Sequence, residues 1–403
     1  MSRLEELIQQ FCPDGVEYKK LDAIANISRG GNFQKKDYVE NGFPCIHYGQ
    51  IYTKYNLFVN DVSSYISPQN AEKQKKAVHG DIVMAVTSEN IEDVCKCVAW
   101  LGNGEIAVSG HIAIIHHKLE PKYLVYYLNS SLFFRQKLKL VQGTKVMEVS
   151  PEKLKKVMLP VPPLEVQREI VRILDQFTGL TAELTAELTA RKKQYEYYRD
   201  ELLIHESMTK LCALKDVCLS IADGDHMPPP KSDFGVPFIT ISNITENKKI
   251  DFSNVMYVPR EYYDKLADKR KAQREDILYT VVGSFGTPVY IAEDTEFVFQ
   301  RHIAILRPNK EKIIPRYMYH AMQSTTFYKQ ADKAAKGAAQ RTIGLSSLGN
   351  MQIFLPPIEE QHRIVSILDR FDTLCNDLTS GLPAEIEARR KQYEYYRDKL
   401  LTF

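Results

Sequence analysis

The chain has 403 residues, 44% of them hydrophobic and 26% charged, enough for two cores of ordinary domain size. A formal charge of +2 excludes coating nucleic acid by charge alone, so DNA binding would need local patches. Candidates are Lys73, Lys75 and Lys76, or Lys269, Arg270, Lys271 and Arg274, although such runs also read as solvated helix faces. The seven cysteines lack a CxxC pair and give an odd count, which favours reduced thiols over a disulfide framework or zinc site. MSRLEELIQQFC has no apolar secretory core, and no run approaches the roughly 20 apolar residues of a membrane span. The expectation is a cytoplasmic protein with no place in a membrane.

In chain order, the first region is expected to be rich in strands. DIVMAV and EIAVSGHIAII are short apolar or alternating runs bounded by Gly, Asn and Asp, followed by helical matter around Pro121 to Leu140. From about Pro163 to Ser207 the pattern changes. Ile170, Leu174, Phe177, Leu180, Leu184, Leu188, Tyr195, Tyr198 and Leu202 recur at steps of three, four or seven residues, the stripe of an amphipathic helix on the order of 60 Å long. Its middle carries a tandem, TAEL at Thr181 to Leu184 and again at Thr185 to Leu188. Each unit adds about 6 Å and about 40° of rotation. A second strand-rich region follows, with VPFITISNI, DILYTVV and HIAILRP, then helical matter from Pro315 to Lys336. A second stripe runs through Ile364, Leu368, Phe371, Leu374, Leu378, Ile386, Tyr393, Tyr396 and Leu400, with Gly381-x-Pro383 expected to interrupt it.

The two stripes are copies. RKKQYEYYRDELL at Arg191 recurs as RRKQYEYYRDKLL at Arg389, and Gln167, Ile170, Val171, Ile173, Leu174, Asp175 and Phe177 each reappear 194 positions later. Weaker echoes link His111-Ile112-Ala113-Ile114 with His302-Ile303-Ala304-Ile305. The predicted architecture is α+β: two sheet-rich domains separated by two long, antiparallel, packed, coiled-coil-like helices, a pseudo-two-fold repeat on one polypeptide. The expected boundaries are 1–158, 159–207, 208–354 and 355–403. Two heads on such a strut suit a target with patches about 34 Å apart, one turn of DNA.

PLxxQxxIVxILDxF, the TAEL tandem and the duplicated KQYEYYRD together resemble the central conserved regions of type I restriction-modification specificity subunits, over the whole chain layout. The resemblance implies a non-catalytic subunit that reads a bipartite, asymmetric site on double-stranded DNA. It implies helices that recruit two methyltransferase subunits and, through them, the restriction or translocase subunits. S-adenosylmethionine, ATP and Mg would then belong to those partners, with no cofactor on this chain. In that family, altering the tandem alters the spacer between half-sites.

Catalytic motifs do not emerge from the residues. The chain has no Gly-Lys dipeptide, hence no phosphate loop of the motor type. Pro228-Pro229-Pro230 lacks the flanks of an amino-methyltransferase loop, and Gly283-Ser284-Phe285-Gly286 reads as a loop that opens no helix. His116 and His117 are adjacent and point to opposite faces of a strand, which makes no metal clamp. An adaptor that binds proteins only, or a detached piece of a fused restriction-methylation enzyme, are the competing readings.

Base contacts are expected on equivalent loops of the two heads: His47, Tyr48 and Gln50 after Phe43-Pro44-Cys45-Ile46, and Thr240, Ser242 and Asn243 after Val236-Pro237-Phe238-Ile239. A second pair is Gln142-Gly143-Thr144-Lys145 and Lys336-Gly337-Ala338-Ala339-Gln340-Arg341, from which Lys145, Lys336, Gln340 and Arg341 are candidates. Lys35, Lys36, Lys231, Lys248 and Lys249 are candidates for phosphate, because an ammonium positions without discriminating. Tyr197, Arg199, Tyr395 and Arg397 are expected to face away from the buried stripe and dock a partner.

Overall fold

A computed structural model describes residues 2–204, 210–224, 229–338, 340–377 and 379–403. It divides into two compact units, Met1–Glu183 with Glu387–Phe403, and Leu184–Ile386. Each unit holds one sheet-rich domain and helical segments from both copies of the repeat.

In the first unit, a five-stranded sheet runs in the order Ala25–Arg29, Ile112–His117, Ile82–Ala85, Cys97–Trp100, Phe58–Val59. The strands Ile82–Ala85 and Cys97–Trp100 are apolar and buried at every position because both their faces are covered. The helix Pro121–Leu128 packs nearby and buries Tyr123, Leu124, Val125, Tyr126, Tyr127 and Leu128. Pro121 suits its start, since proline lacks the N–H that the first helical turn leaves unpaired. A second sheet pairs Phe43–Ile46 in parallel with Ile106–Val108.

The second unit repeats this plan with fewer strands among the described residues. Its sheets run Cys218–Asp223, Ile303–Pro308, Ile277–Thr280, Pro288–Tyr290, and Met256–Val258, Val236–Ile239, Val298–Phe299, the last pair parallel. Hydrogen bonds repeat with the sequence. The Tyr123 hydroxyl donates to Pro160 O at 3.0 Å, and Tyr317 to Phe354 O at 2.9 Å. Gln167 accepts from Glu120 N at 2.9 Å and donates to Pro162 O at 2.6 Å. Gln361 does the same with Ile314 N and Pro356 O, at 2.8 and 2.9 Å.

The first copy of the stripe forms one unbroken helix, Leu164–Leu203, of 40 residues. It stops short of the expected Ser207, which lies outside the described residues. The second copy is broken where glycine and proline fall, into Ile358–Asn376 and Leu382–Leu400. Gly381 is required by close approach there, because a Cβ would sit 2.5 Å from Thr373 O.

The copies pack against one another within each unit. In the first, Phe177 stacks on Tyr396 at 5.3 Å, and Val166, Ile170 and Leu174 share a core with Leu401. In the second, Tyr195 stacks on Phe371 at 6.2 Å, and Leu203 shares a core with Ile364 and Leu368. As one strand of each pair ascends in number the other descends, so the packing is antiparallel. The stripe is buried unevenly: Leu184 and Leu188 are half-buried, whereas Leu180, Leu374, Tyr198 and Tyr396 are exposed at its rim. Leu378 lies outside the described residues. No helix among the described residues is long and apolar enough to cross a membrane.

Candidate nucleic-acid interface

In the first unit, the strand Phe43–Ile46 runs directly into the short helix Tyr48–Thr53, and His47 caps it. His47 Nδ1 accepts from Gly49 N at 3.3 Å. Burial, and then the charges of Lys35 and His111, hold its pKa below the ordinary value, so the ring is neutral at pH 7. With Nδ1 accepting, the proton resides on Nε2, which is a donor. Tyr48 lies 4.5 Å from His47 and 5.0 Å from His111 between ring centroids. These three line a cleft of about 660 Å³ with Arg29, Asn32, Gln34 and Ser109. Lys35 and Lys36 stand exposed on the adjoining turn Lys35–Asp37.

Gln50 does not join the cleft. It is buried, its Oε1 accepts from His47 N at 2.8 Å, and its Nε2 donates to Ser64 Oγ at 2.7 Å. The strand exit was expected to be a loop, but a helix begins there and turns Gln50 inward as the partner of its own cap.

The hairpin carrying Lys145 lies beside this cleft. Gln142 and Glu148 exchange backbone bonds of 2.9 and 2.8 Å, and Gly143 turns the chain at φ +99, where a Cβ would meet Val146 O at 2.0 Å. Thr144, Lys145 and Val146 are exposed at the tip. Arg29 pairs with Glu148 at 3.2 Å and so joins hairpin to cleft. Arg29, Asn32 and His111 were missed in the sequence reading. The repeated His-Ile-Ala-Ile held a signal for His111, an exposed polar residue just before the apolar run Ile112 to Ile115.

The second unit builds the same hairpin 194 positions on. Lys336 and Thr342 exchange bonds of 2.9 and 2.8 Å, and Gly337 turns at φ +120. Lys336 and Gln340 are exposed, while Ala339 lies outside the described residues. Arg341 is tied down: its Nη1 donates to Asp332 at 2.7 Å and its guanidinium lies 5.1 Å over the Phe285 ring. Phe285 in turn stacks on Tyr328 at 6.2 Å and 15°. Gly286, at φ +97, allows this, since a Cβ would come within 2.8 Å of the Tyr328 ring. Phe285 and Tyr328 were not anticipated. The bracketing glycines of Gly283-Ser284-Phe285-Gly286 were the available clue.

Other candidates are repositioned. Asn243 is used internally, accepting from Thr240 N at 3.0 Å and donating to Asn254 O at 3.0 Å, because Ile241–Asn243 forms a 3-10 turn that needs its own cap. Ser242 is exposed, with Oγ 2.7 Å from Thr240 Oγ1. Lys231 is exposed beside Ser232, whose N–H donates to Tyr257 O at 2.9 Å, on a separate segment. Lys248 is not a free surface cation. It donates to Gln323, and burial lowers its pKa to about 8. Of Pro228-Pro229-Pro230, Pro228 lies outside the described residues.

On the helices, Tyr197 and Tyr395 are exposed at 62% and 61%. Arg199 and Arg397 correct the expectation, with side chains only 7% and 11% exposed. Each stands one turn beyond a tyrosine of the packed face, buried Tyr195 or half-buried Tyr393, so it lies on that face too. The Arg199 guanidinium covers Tyr195 at 5.6 Å and that of Arg397 covers Tyr393 at 5.4 Å. Each also pairs with the next aspartate, Asp200 at 3.2 Å and Asp398 at 3.0 Å.

Two stretches, residues 13–191 and 209–388, match the family described as type I restriction modification DNA specificity domain. The chain is 31% identical over 404 residues to a putative type I restriction enzyme specificity subunit of Haemophilus influenzae, covering 96% of each. It is 35% identical over 306 residues to the EcoR124I/EcoR124II specificity subunit of Escherichia coli, covering 70% of each. Its fold is similar to a chain in a solved assembly of a type I restriction-modification system, with TM-score 0.65, 19% identity and coverage of 96% and 98%. It is also similar to the S subunit from M. genitalium, with TM-score 0.51, 13% identity and coverage of 96% and 97%.

Proposed function

The chain belongs to the family of type I restriction-modification specificity subunits, and from that premise we propose that its two sheet-rich domains read the two halves of a bipartite, asymmetric DNA site. Members of this family recognise DNA sequence and are non-catalytic by role. The observation that carries the finer reading is one framework with two different rims. The strand exits after Ile46 and Ile239 are equivalent, yet one bears His47 and Tyr48 and the other Thr240 and Ile241. Different donors and acceptors at equivalent places are what two unlike half-sites require.

In this reading, His47 and Tyr48 with His111 face bases in one half-site, and Thr240, Ser242 and Gln340 in the other. Lys35, Lys36, Lys145, Lys231 and Lys336 meet phosphates. Gln50, Asn243, Lys248 and Arg341 support those surfaces. The domains are residues 1–158 and 208–354, joined by the helical regions 159–207 and 355–403. The helices recruit two methyltransferase subunits, with Tyr197 and Tyr395 as equivalent docking aromatics, and through them the restriction subunits. S-adenosylmethionine, ATP and Mg act on those partners.

The 40-residue helix, about 60 Å long, serves as the strut that sets the spacer. Deleting Thr185 to Leu188 removes one helical turn. In a host carrying the complete system, methylome sequencing is expected to show both half-sites intact with an altered spacer. Changed bases with an unchanged spacer would overturn the strut. A methyltransferase that keeps its sequence pattern without this chain would overturn the whole reading.

A further inference from the structure

The repeat contains aspartates that the reading of DNA does not use. In the first unit, Asp175 accepts from Lys122 Nζ at 2.6 Å and from the Tyr126 hydroxyl at 2.7 Å. In the second, Asp369 accepts from Arg316 Nε at 2.7 Å and lies 2.7 Å from His320 Nε2. The correspondence is complete, each residue 194 positions from its counterpart. Lys122, Tyr126, Arg316 and His320 belong to the domains, on the helices Pro121–Leu128 and Pro315–Ala321. Asp175 and Asp369 belong to the struts.

A second contact comes from the other copy of the repeat. Asp398 Oδ1 accepts from Ser131 N at 3.2 Å, at the start of the domain helix Ser131–Lys137. Asp200 Oδ1 accepts from Thr325 N at 3.1 Å, at the start of Thr325–Ala334. Each domain is therefore held at two places by two different strut segments. Tyr393 packs against Tyr126 at 6.2 Å and Tyr195 against His320 at 6.4 Å, which closes the space between them. One attachment would leave the domain free to pivot. Two attachments to separate helices fix its attitude.

We propose that Asp175 with Asp398, and Asp369 with Asp200, are positioning residues that fix the attitude of each recognition domain on its own pair of struts, and through it the spacer length that DNA must present. This rests on the bipartite reading above. Packing alone does not need these groups. An apolar contact would bury the same area, whereas hydrogen bonds to carboxylates are directional and set angle as well as distance.

The test uses the full complex with its methyltransferase and a DNA library that holds both half-sites constant and varies the spacer by single base pairs. Asp175→Asn and Asp369→Asn are compared with the parent chain. The expected result is about a tenfold loss of preference for the parent spacer over its neighbours, with the bases read unchanged, from loss of one charged hydrogen-bond set. A folded variant with lowered thermal stability and unaltered spacer preference overturns the proposal. If Asp175→Asn does not assemble, Tyr126→Phe removes one bond to Asp175 and keeps the ring. Unaltered preference in that assembled variant overturns the proposal equally. A parent chain that shows no spacer preference overturns instead the bipartite reading on which the proposal stands.

Discussion

The two units are built from one plan, and they differ where side chains reach outward or across to the struts. Tyr123 and Tyr317, Gln167 and Gln361, and Gly143 and Gly337 make the same bonds or turns 194 positions apart. Arg29 of the first cleft corresponds to Asp223 in the second unit, and Lys122 and Tyr126 correspond to Arg316 and His320. The lesson concerns substitution. Groups that satisfy buried backbone have one geometric solution, whereas rim groups facing solvent or a ligand have many.

The sharpest way to break the comparison is to remove a shared buried group from both units. Gln167→Ala and Gln361→Ala each leave a half-buried N–H and a buried carbonyl without these partners, since both glutamines are 1% exposed. Each is expected to destabilise its own unit by about 2 to 4 kcal/mol in denaturant unfolding. Markedly unequal effects would show that the two frameworks are not equivalent.

Acid should affect both units through different residues. Burial pushes His117 down to about 4 in the first unit, and in the second burial also lowers His320, which is fully enclosed between Tyr195, Asp369 and Arg316. A histidine with a depressed folded pKa contributes stability that is complete above the ordinary value of 6.5 and is lost as pH falls through the folded value. Burial opposes ionisation of Asp369, but its bonds from His320 and Arg316 more than reverse this, so its carboxylate stays charged across that range. In the first unit stability is expected to fall by on the order of 2 kcal/mol between pH 6.5 and about 4, and in the second it is expected to fall in the same direction below pH 6.5. Hydrogen exchange should show that His320→Gln flattens the profile of the second unit alone.

The smallest expected effect sharpens the contrast between rims. Tyr48→Ala should weaken binding by about 1 to 2 kcal/mol and relax base preference in one half-site, with the other half-site read as before. Binding measured on DNA with degenerate half-sites checks this, and relaxation in both halves would sink the assignment.

Much of this architecture was legible because helical repeats declare themselves. KQYEYYRD twice, and a stripe at helical steps, predicted two struts, their pairing and the break at Gly381-x-Pro383. The site was harder. Gln50, Asn243, Lys248 and Arg341 have the composition of base or phosphate contacts, yet caps, a local pair and, for Lys248, the distant Gln323 claim them. Polarity in a one-dimensional string does not distinguish a group that faces DNA from one that satisfies its own turn. Arg199 shows the same limit on a helix, where a cation one turn from Tyr195 lies over the buried ring instead of outward.

What the sequence by itself determined was periodic: two copies, their helical stripe, the tandem and the family likeness, because identity at fixed spacing needs no third dimension. What only the tertiary structure decided was convergence. His47, Tyr48 and His111 form one cleft, Arg341, Phe285 and Tyr328 one stack, and Asp398 reaches Ser131 from a distant part of the chain. Those neighbours are set by sheet pairing and helix packing, so residues far apart in order become adjacent only once the backbone has closed.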